Sequence, residues 1–395
     1  MSTRRQRGSV SRRSFVASMG LGAGYISISA RGHEAWASAL SEGRTSEPFA
    51  LPQTSSIILS SNENPLGPGE HVLAAMRGIL GPDGAGAARY MFAQADEARA
   101  AVAEAHGVTE QNVRLGTGSS EILRLAADLF TSADRPVVSP DPTFESAAAY
   151  AAFLGAEVKR VRIGTDFRSD LDAMIDACDG AGLVVHCNPN NPTATVHSAS
   201  STRDFIERVH RRSPDTMILV DEAYHHYVTD TEYESAIPIA VENPRVMVAR
   251  TFSKAYGMAG LRIGFAVAHA EAIRKFVELR GPDWSMNVPG RVGVVAALER
   301  GQGPVMEEQA RNTSVRDFTR KFFHDAGYQD TNSQANFILV DIRRSAQEFR
   351  QACGEQGIRI GEGSSLYPNH ARITMGTQAE MDLATQVFAE VLGFG

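Results

Sequence analysis

The chain has 395 residues, 43% hydrophobic and 22% charged, a balance that suits a globular protein with a large core and two or three domains. Its net charge of -7 argues against a nucleic-acid surface, and three cysteines do not make a disulfide framework. No apolar stretch reaches the roughly 18 residues of a spanning helix, so no membrane span is expected in the mature protein.

The first 37 residues read as a leader and not as fold. Arg4, Arg5 and Arg7 lead into Ser11-Arg12-Arg13-Ser14-Phe15-Val16, then a mildly apolar Gly-rich run to Ala30 and a small-x-small cleavage candidate, Ala35-Trp36-Ala37. Together these resemble a twin-arginine (Tat) export signal, which implies a periplasmic or secreted protein; a plain basic leader is the alternative. Residues 38–75 read as a linker and an N-terminal arm. Within the arm, Asn62-Glu63-Asn64-Pro65-Leu66-Gly67-Pro68 is held extended and turning by Asn-Pro and Gly-Pro.

Arg89-Tyr90 precedes an alanine-rich helix expected over 96–106. At Gly116-Thr117-Gly118-Ser119-Ser120-Glu121 the helical spacing of Ile122, Leu123, Ala126, Leu129 and Phe130 predicts a helix start capped by Ser119 or Ser120. A glycine-led helix N-terminus is also a phosphate cradle. Short apolar runs at Val137-Val138, Leu183-Val184-Val185-His186, Met217-Ile218-Leu219-Val220 and Val246-Met247-Val248-Ala249 read as buried strands, and 156–161 as an alternating one. Polar loops follow four of them: Asp141-Pro142-Thr143-Phe144, Cys187-Asn188-Pro189-Asn190-Asn191-Pro192-Thr193, Asp221-Glu222-Ala223-Tyr224, and Thr251-Phe252-Ser253-Lys254-Ala255-Tyr256-Gly257. Open α/β sheets place ligands at such carboxyl ends. There a desolvated lysine loses its proton more readily and adds to a carbonyl as a Schiff base, and Ser253 and Arg262 suit a phosphate. His225-His226 do not share a face, so no metal site is expected. A charged helix over 305–327, with Val315, Phe318, Phe322 and Phe323 as its apolar side, leads toward a strand at Asn336-Phe337-Ile338-Leu339-Val340. Arg372, opening the stretch Arg372-Ile373-Thr374, suits a bidentate clamp on a carboxylate, or a structural ion pair.

The stretch TFSKAYGMAGLRIGFA, 251–266, resembles the cofactor-lysine segment of fold-type I pyridoxal phosphate (PLP) aminotransferases of class I/II, most of all the histidinol-phosphate aminotransferase branch. The similarity runs from about Leu59 to the C-terminus. It implies a large α/β domain, 76–285, with a mostly parallel seven-stranded sheet, and a smaller C-terminal α+β domain, 286–395. It implies PLP as cofactor on Lys254, Asp221 against the pyridine nitrogen, Phe144 stacked on the ring, and Asn191 and Tyr224 at the 3′-oxygen. The phosphate falls to Ser119, Ser120, Ser253, Arg262 and Tyr90, the last from the neighbouring subunit of a homodimer. Arg372, with Asn64 of the arm and Asn336, falls to the substrate.

The chain departs from the family in two places. Ala194 stands where glycine is usual after Asn191-Pro192-Thr193. Gly361 stands where histidinol-phosphate aminotransferases carry an arginine for the substrate phosphate, and Glu362 puts a carboxylate near that place. The expected activity is therefore transamination between an L-amino acid and a 2-oxo acid, and not on histidinol phosphate. A polar or cationic side chain would meet Glu362, or Glu63 from the arm; the alternative is a solvent-facing Glu362 with an apolar or aromatic side chain in the pocket. PLP-dependent oxidation, cyclisation or elimination is a rival outcome, and a non-catalytic PLP-fold binding module is another.

Overall fold

The computed structural model describes residues 56–394 apart from 82–85, 282, 284 and 285. The expected export signal therefore lies outside the described residues. Strand β1 (Ile57–Leu59) opens them; β2 (Val113–Gly116), β3 (Val137–Asp141), β4 (Val158–Arg162), β5 (Leu183–Cys187), β6 (Met217–Asp221), β7 (Val246–Thr251) and β8 (Gly264–Ala268) form one seven-stranded sheet. Its order is β2-β8-β7-β6-β5-β3-β4, and only β8 runs against its neighbours. Strands β5, β6 and β7 are buried on both faces. This is why they read in sequence as unbroken apolar runs and not as alternation.

Helices cover both faces of this sheet. On one side the core joins Val138, Val184, Ile218, Val220 and Val248 to Phe205 and Ile206 of helix Ala199–Arg212 and to Val294 of helix Val288–Glu299. On the other, Val185, Leu219, Met247 and Ala266 pack on Ile122, Ala126 and Phe130 of helix Ser119–Phe130. Helix Val288–Glu299, at the start of the segment expected as the C-terminal domain, packs on helices Glu70–Leu80 and Ala93–Ala105 and shares the first of these cores.

Strands β9 (Gln329–Asp330), β10 (Phe337–Asp341) and β12 (His370–Thr374) form an antiparallel sheet in the order β12-β10-β9. Strand β11 (Ile358–Ile360) pairs in parallel with β1, so the arm is tied to the C-terminal segment from its first described residues. A third core gathers Leu59, Ile338, Val340, Ile360, Ile373, Phe349 and Phe388.

Helix Gly303–Asp325 corrects one expectation. Val315 and Phe323 are buried, but Phe318 is 37% exposed. The buried side instead includes Glu308, Asn312, Arg316 and Thr319, spaced by three or four residues. Arg316 donates to the carbonyls of Tyr227 and Ala335, and the Tyr227 phenol donates to Glu308 at 3.2 Å. Polar residues occupy this face with main-chain and phenol partners for most of their groups, though Arg316 Nε and Asn312 Oδ1 have none.

Candidate active site

The loops after β3, β5, β6 and β7 converge with the arm and with β12. Lys254 leaves β7 through a turn in which the Ser253 amide donates to Thr251 Oγ1 at 3.0 Å and the Gly257 amide to the Lys254 carbonyl at 2.9 Å. The Lys254 amine donates to the Ser61 carbonyl at 3.0 Å and stands 5.6 Å from the centre of the Tyr224 ring. Burial lowers its pKa to about 8; Arg372 and Arg262 push the same way, and Glu63 and Asp221 oppose them. A lysine poised there serves as a nucleophile and a proton carrier near neutral pH.

Asp221 ends β6, 3% exposed. Burial raises its carboxyl to about 7, aided by Glu222 and opposed by the Ala223 amide, which donates to Oδ1 at 3.3 Å, and by Lys254. Glu222, the next residue, faces the other way into a buried ion pair with Arg250 at 2.7 Å, supported by Ser235. Burial likewise keeps His225 and His226 below the ordinary histidine pKa; His225 Nδ1 lies 3.1 Å from the Tyr233 hydroxyl. No metal-binding cluster occurs among the described residues.

Helix Ser119–Phe130 differs from expectation at its first turn. The cap is Gly118 at φ 72°, with no side-chain capping bond, and Ser119 and Ser120 are its first two helical residues. Glycine adopts that left-handed angle without the steric cost a side chain brings. The Gly118 amide donates to the Arg262 carbonyl at 3.0 Å. The Arg262 guanidinium donates to Ser253 Oγ at 3.2 Å and to the Ala259 carbonyl at 3.0 Å; among the described residues it has no carboxylate partner. Gly264 lies so close beneath this turn that a Cβ there would sit 2.2 Å from the Ser119 nitrogen. Uncapped amides, a hydroxyl and an arginine without an acid form an anion cradle.

Asn191, 8% exposed, accepts at Oδ1 from Arg372 at 3.0 Å, which leaves its amide NH2 free to donate. Asn190 braces the same loop through Thr143, Pro142 and Thr193. Ala194 sits at φ 59°, the left-handed angle that glycine takes more cheaply, so its side chain is accommodated at a strained backbone position. Phe144 is half-buried beside the core on the helix Ser119–Phe130 side.

The arm supplies a residue that the sequence reading did not single out. Asn62, 2% exposed with φ 53°, donates through Nδ2 to the Tyr224 hydroxyl at 3.0 Å. Its amide nitrogen donates to Thr374 Oγ1 at 2.9 Å, and Asn336 donates to its carbonyl at 3.0 Å. With Asn62 donating, the Tyr224 phenol keeps its own proton for another acceptor; burial raises the Tyr224 pKa far above the ordinary phenol value. Asn64 donates to the Ala255 carbonyl at 3.0 Å and so fastens the arm to the lysine loop.

Arg372 completes the cluster. It donates from one terminal nitrogen to Asn191 and from the other to the Ser60 carbonyl, each at 3.0 Å, and its guanidinium lies 5.9 Å from the centre of the Phe337 ring. Two expected residues stand apart. Tyr90 is 90% exposed and stacks on Phe92 with ring centres 5.7 Å apart. The Glu362 side chain is 68% exposed, 4.0 Å from Arg350, and shares an outer groove with Gln347, Gln351 and Arg359. The pocket role expected of Glu362 thus has no support in its position: Gly361 bridges Arg372, and the next side chain is exposed.

The donor set fits the PLP expected from the sequence: an anion cradle, a buried carboxyl short of a cation, two hydrogen-bond donors and a lysine amine face one another.

Residues 54–388 match the family described as aminotransferase class I and II. Histidinol-phosphate aminotransferase of Bacillus subtilis strain 168 is 33% identical over 341 residues, 85% of this chain and 91% of that protein. The crystal structure of histidinol-phosphate aminotransferase from Sinorhizobium meliloti in complex with pyridoxal-5′-phosphate superposes with a TM-score of 0.78 at 27% identity, covering 88% of this chain and 96% of that one. Aspartate aminotransferase of Thermus thermophilus, as a double mutant, shares the fold with a TM-score of 0.76 at 21% identity, covering 98% of this chain and all of that one.

Proposed function

The chain belongs to the class I and II aminotransferase family, and we propose that it is a PLP-dependent enzyme moving an amino group between an L-amino acid and a 2-oxo acid, with histidinol phosphate not among its substrates. The observation that carries this reading is the Lys254 amine, lowered to about pKa 8 and surrounded by Asp221, Tyr224 and Arg372. Ser119, Ser120, Ser253 and Arg262 would hold the cofactor phosphate, Asp221 the ring nitrogen, Phe144 a ring face, and Asn191 and Tyr224 the ring oxygen. When bound, PLP supplies an electron sink for the charge left at the substrate Cα.

The protein side of the reaction follows from its own groups. Arg372 grips the substrate carboxylate and so orients Cα. The Lys254 amine removes the Cα proton and later returns one, which its lowered pKa favours near neutral pH. Asn62 holds Tyr224 in the orientation that leaves the phenol proton available. Asp221 offers a buried negative charge that keeps a ring nitrogen protonated.

Substrate choice rests on charge. The cations that act on Lys254 are Arg372 and Arg262, one assigned to the carboxylate and one to the cofactor. Gly361 offers no third, and Arg359 is exposed on the outer groove. The acid that acts on Lys254 besides Asp221 is Glu63. A second phosphate would thus meet an uncompensated carboxylate, whereas a polar or cationic side chain would be matched. The test compares kcat/KM for arginine or lysine with phenylalanine and histidinol phosphate, in wild type and Glu63→Gln. Histidinol phosphate as the best substrate, or an unchanged ranking in Glu63→Gln, defeats the substrate reading; no 2-oxo acid formed from any amino acid defeats transamination.

The assembly we propose is a homodimer in which the exposed Tyr90 reaches the partner's phosphate site. A monomer at working concentration, or undiminished cofactor retention in Tyr90→Phe, contradicts it. We further propose export through the twin-arginine route. Arg12→Lys with Arg13→Lys should strand full-length protein in the cytoplasm, and a native protein that stays there with residues 1–37 attached refutes it.

A further inference from the structure

Arg372 donates through both terminal nitrogens, yet its Nε is buried with no hydrogen-bond partner. What covers that edge is Gly361. The two residues form an isolated antiparallel bridge in which the Gly361 amide donates to the Arg372 carbonyl at 3.0 Å, just beyond the β1–β11 pairing that ends at Leu59 and Ile360. The Arg372 side chain then passes over Gly361 to reach Ser60. A Cβ on Gly361 would lie 2.9 Å from Arg372 Nε, 3.0 Å from one terminal nitrogen and 2.9 Å from the Ser60 carbonyl oxygen. The first two neighbours are a movable side chain; the third is backbone held beside a strand and cannot yield cheaply. Gly361 does not adopt the left-handed angle that excludes side chains, so an alanine there is refused by these neighbours and not by the backbone.

We propose that Gly361 is a positioning residue for Arg372: by having no side chain it lets the guanidinium lie flat against the strand end, fixed by Ser60 and Asn191. The Nε edge is closed, and the edge between the two terminal nitrogens is left for the substrate carboxylate. This rests on the assignment of Arg372 to the carboxylate.

The experiment is a double-mutant cycle on the holoenzyme with Gly361→Ala, Arg372→Lys and the two combined, read by steady-state transamination and by cofactor retention on dialysis. Gly361→Ala should raise KM for both the amino acid and the 2-oxo acid about tenfold, the loss expected when a charge-assisted bond is put out of line. Its kcat should stay within about threefold, and cofactor retention should not change. Arg372→Lys already removes the two-pronged clamp, so adding Gly361→Ala to it should cost little more in KM. Additive losses in the double variant, or a Gly361→Ala enzyme with unchanged KM, overturn the inference while leaving Arg372 in its role. An Arg372→Lys enzyme with unchanged KM overturns the assignment of Arg372 itself. If Gly361→Ala yields no folded protein, Gly361→Ala in an Arg372→Ala background decides: folded there, it supports the collision with arginine; unfolded there, the Ser60 carbonyl is the obstacle and the inference is contradicted.

Discussion

Replacing Asp221 by asparagine separates what this residue costs the empty protein from what it gives the loaded one. Its carboxyl is held at about 7 against an ordinary value of 3.8, chiefly by burial. The folded protein therefore binds this proton more tightly than the unfolded chain does. The stabilisation is complete below 3.8 and is lost as pH rises through about 7. At about 1.4 kcal/mol per pH unit, burying this group in the apoprotein costs on the order of 4 kcal/mol at pH 8, where it is ionised, and about 2 kcal/mol at pH 5, where it must take up a proton. Asparagine keeps an acceptor for the Ala223 amide and carries no charge. Urea titrations of the two apoproteins should show Asp221→Asn more stable by a few kcal/mol near pH 8, with about half that gain near pH 5. In the holoenzyme the sign should reverse, with weaker cofactor retention and a large fall in kcat, because the ring nitrogen loses its counter-charge. A gain that does not vary with pH, or no gain at all, would refute the reading of Asp221 as a buried acid waiting for a cation.

Three further perturbations probe the surroundings. Gly264→Ala drives a Cβ to 2.2 Å from the Ser119 nitrogen and 2.9 Å from the Arg250 carbonyl, so PLP retention should fall at least about tenfold, with a stability loss of about 1–3 kcal/mol by denaturation. Removing the Glu63 carboxylate takes away a charge that favours the Lys254 ammonium, so the rate at which the apoprotein captures PLP, rising through about pH 8 in wild type, should rise at lower pH in Glu63→Gln. Glu222→Gln leaves Arg250 buried beside a neutral partner and should destabilise the protein by about 3–5 kcal/mol in denaturant titration.

The parallel sheet was legible because β5, β6 and β7 are buried on both faces and so appear as unbroken apolar runs ending in polar loops. Those loops carry Asn191, Asp221 and Lys254; their position past the strands could be read from spacing and residue type, whereas the role of Asn191 came from the resemblance. Strand β8 was not, since its five residues follow a glycine-rich loop and run antiparallel, with no crossover helix to announce them. Asn62 was hidden for a different reason. Beside Asn-Pro it reads as loop, and its burial depends on Tyr224, Thr374 and Asn336, all far away in sequence. Glu362 shows the limit of sequence adjacency: Gly361 bridges Arg372, and the neighbouring side chain, which alternation turns the other way, lies 4.0 Å from Arg350. On helix Gly303–Asp325, polar residues suggested a solvated face, and only the carbonyls of Tyr227 and Ala335 make Arg316 a buried residue.

The proposed role of Lys254 is to carry the cofactor. Purified protein loaded with PLP should be yellow, and borohydride should fix a pyridoxyl group on one peptide, the one containing Lys254, with label and turnover both lost in Lys254→Ala. Label on another lysine, or normal turnover in Lys254→Ala, would contradict the account.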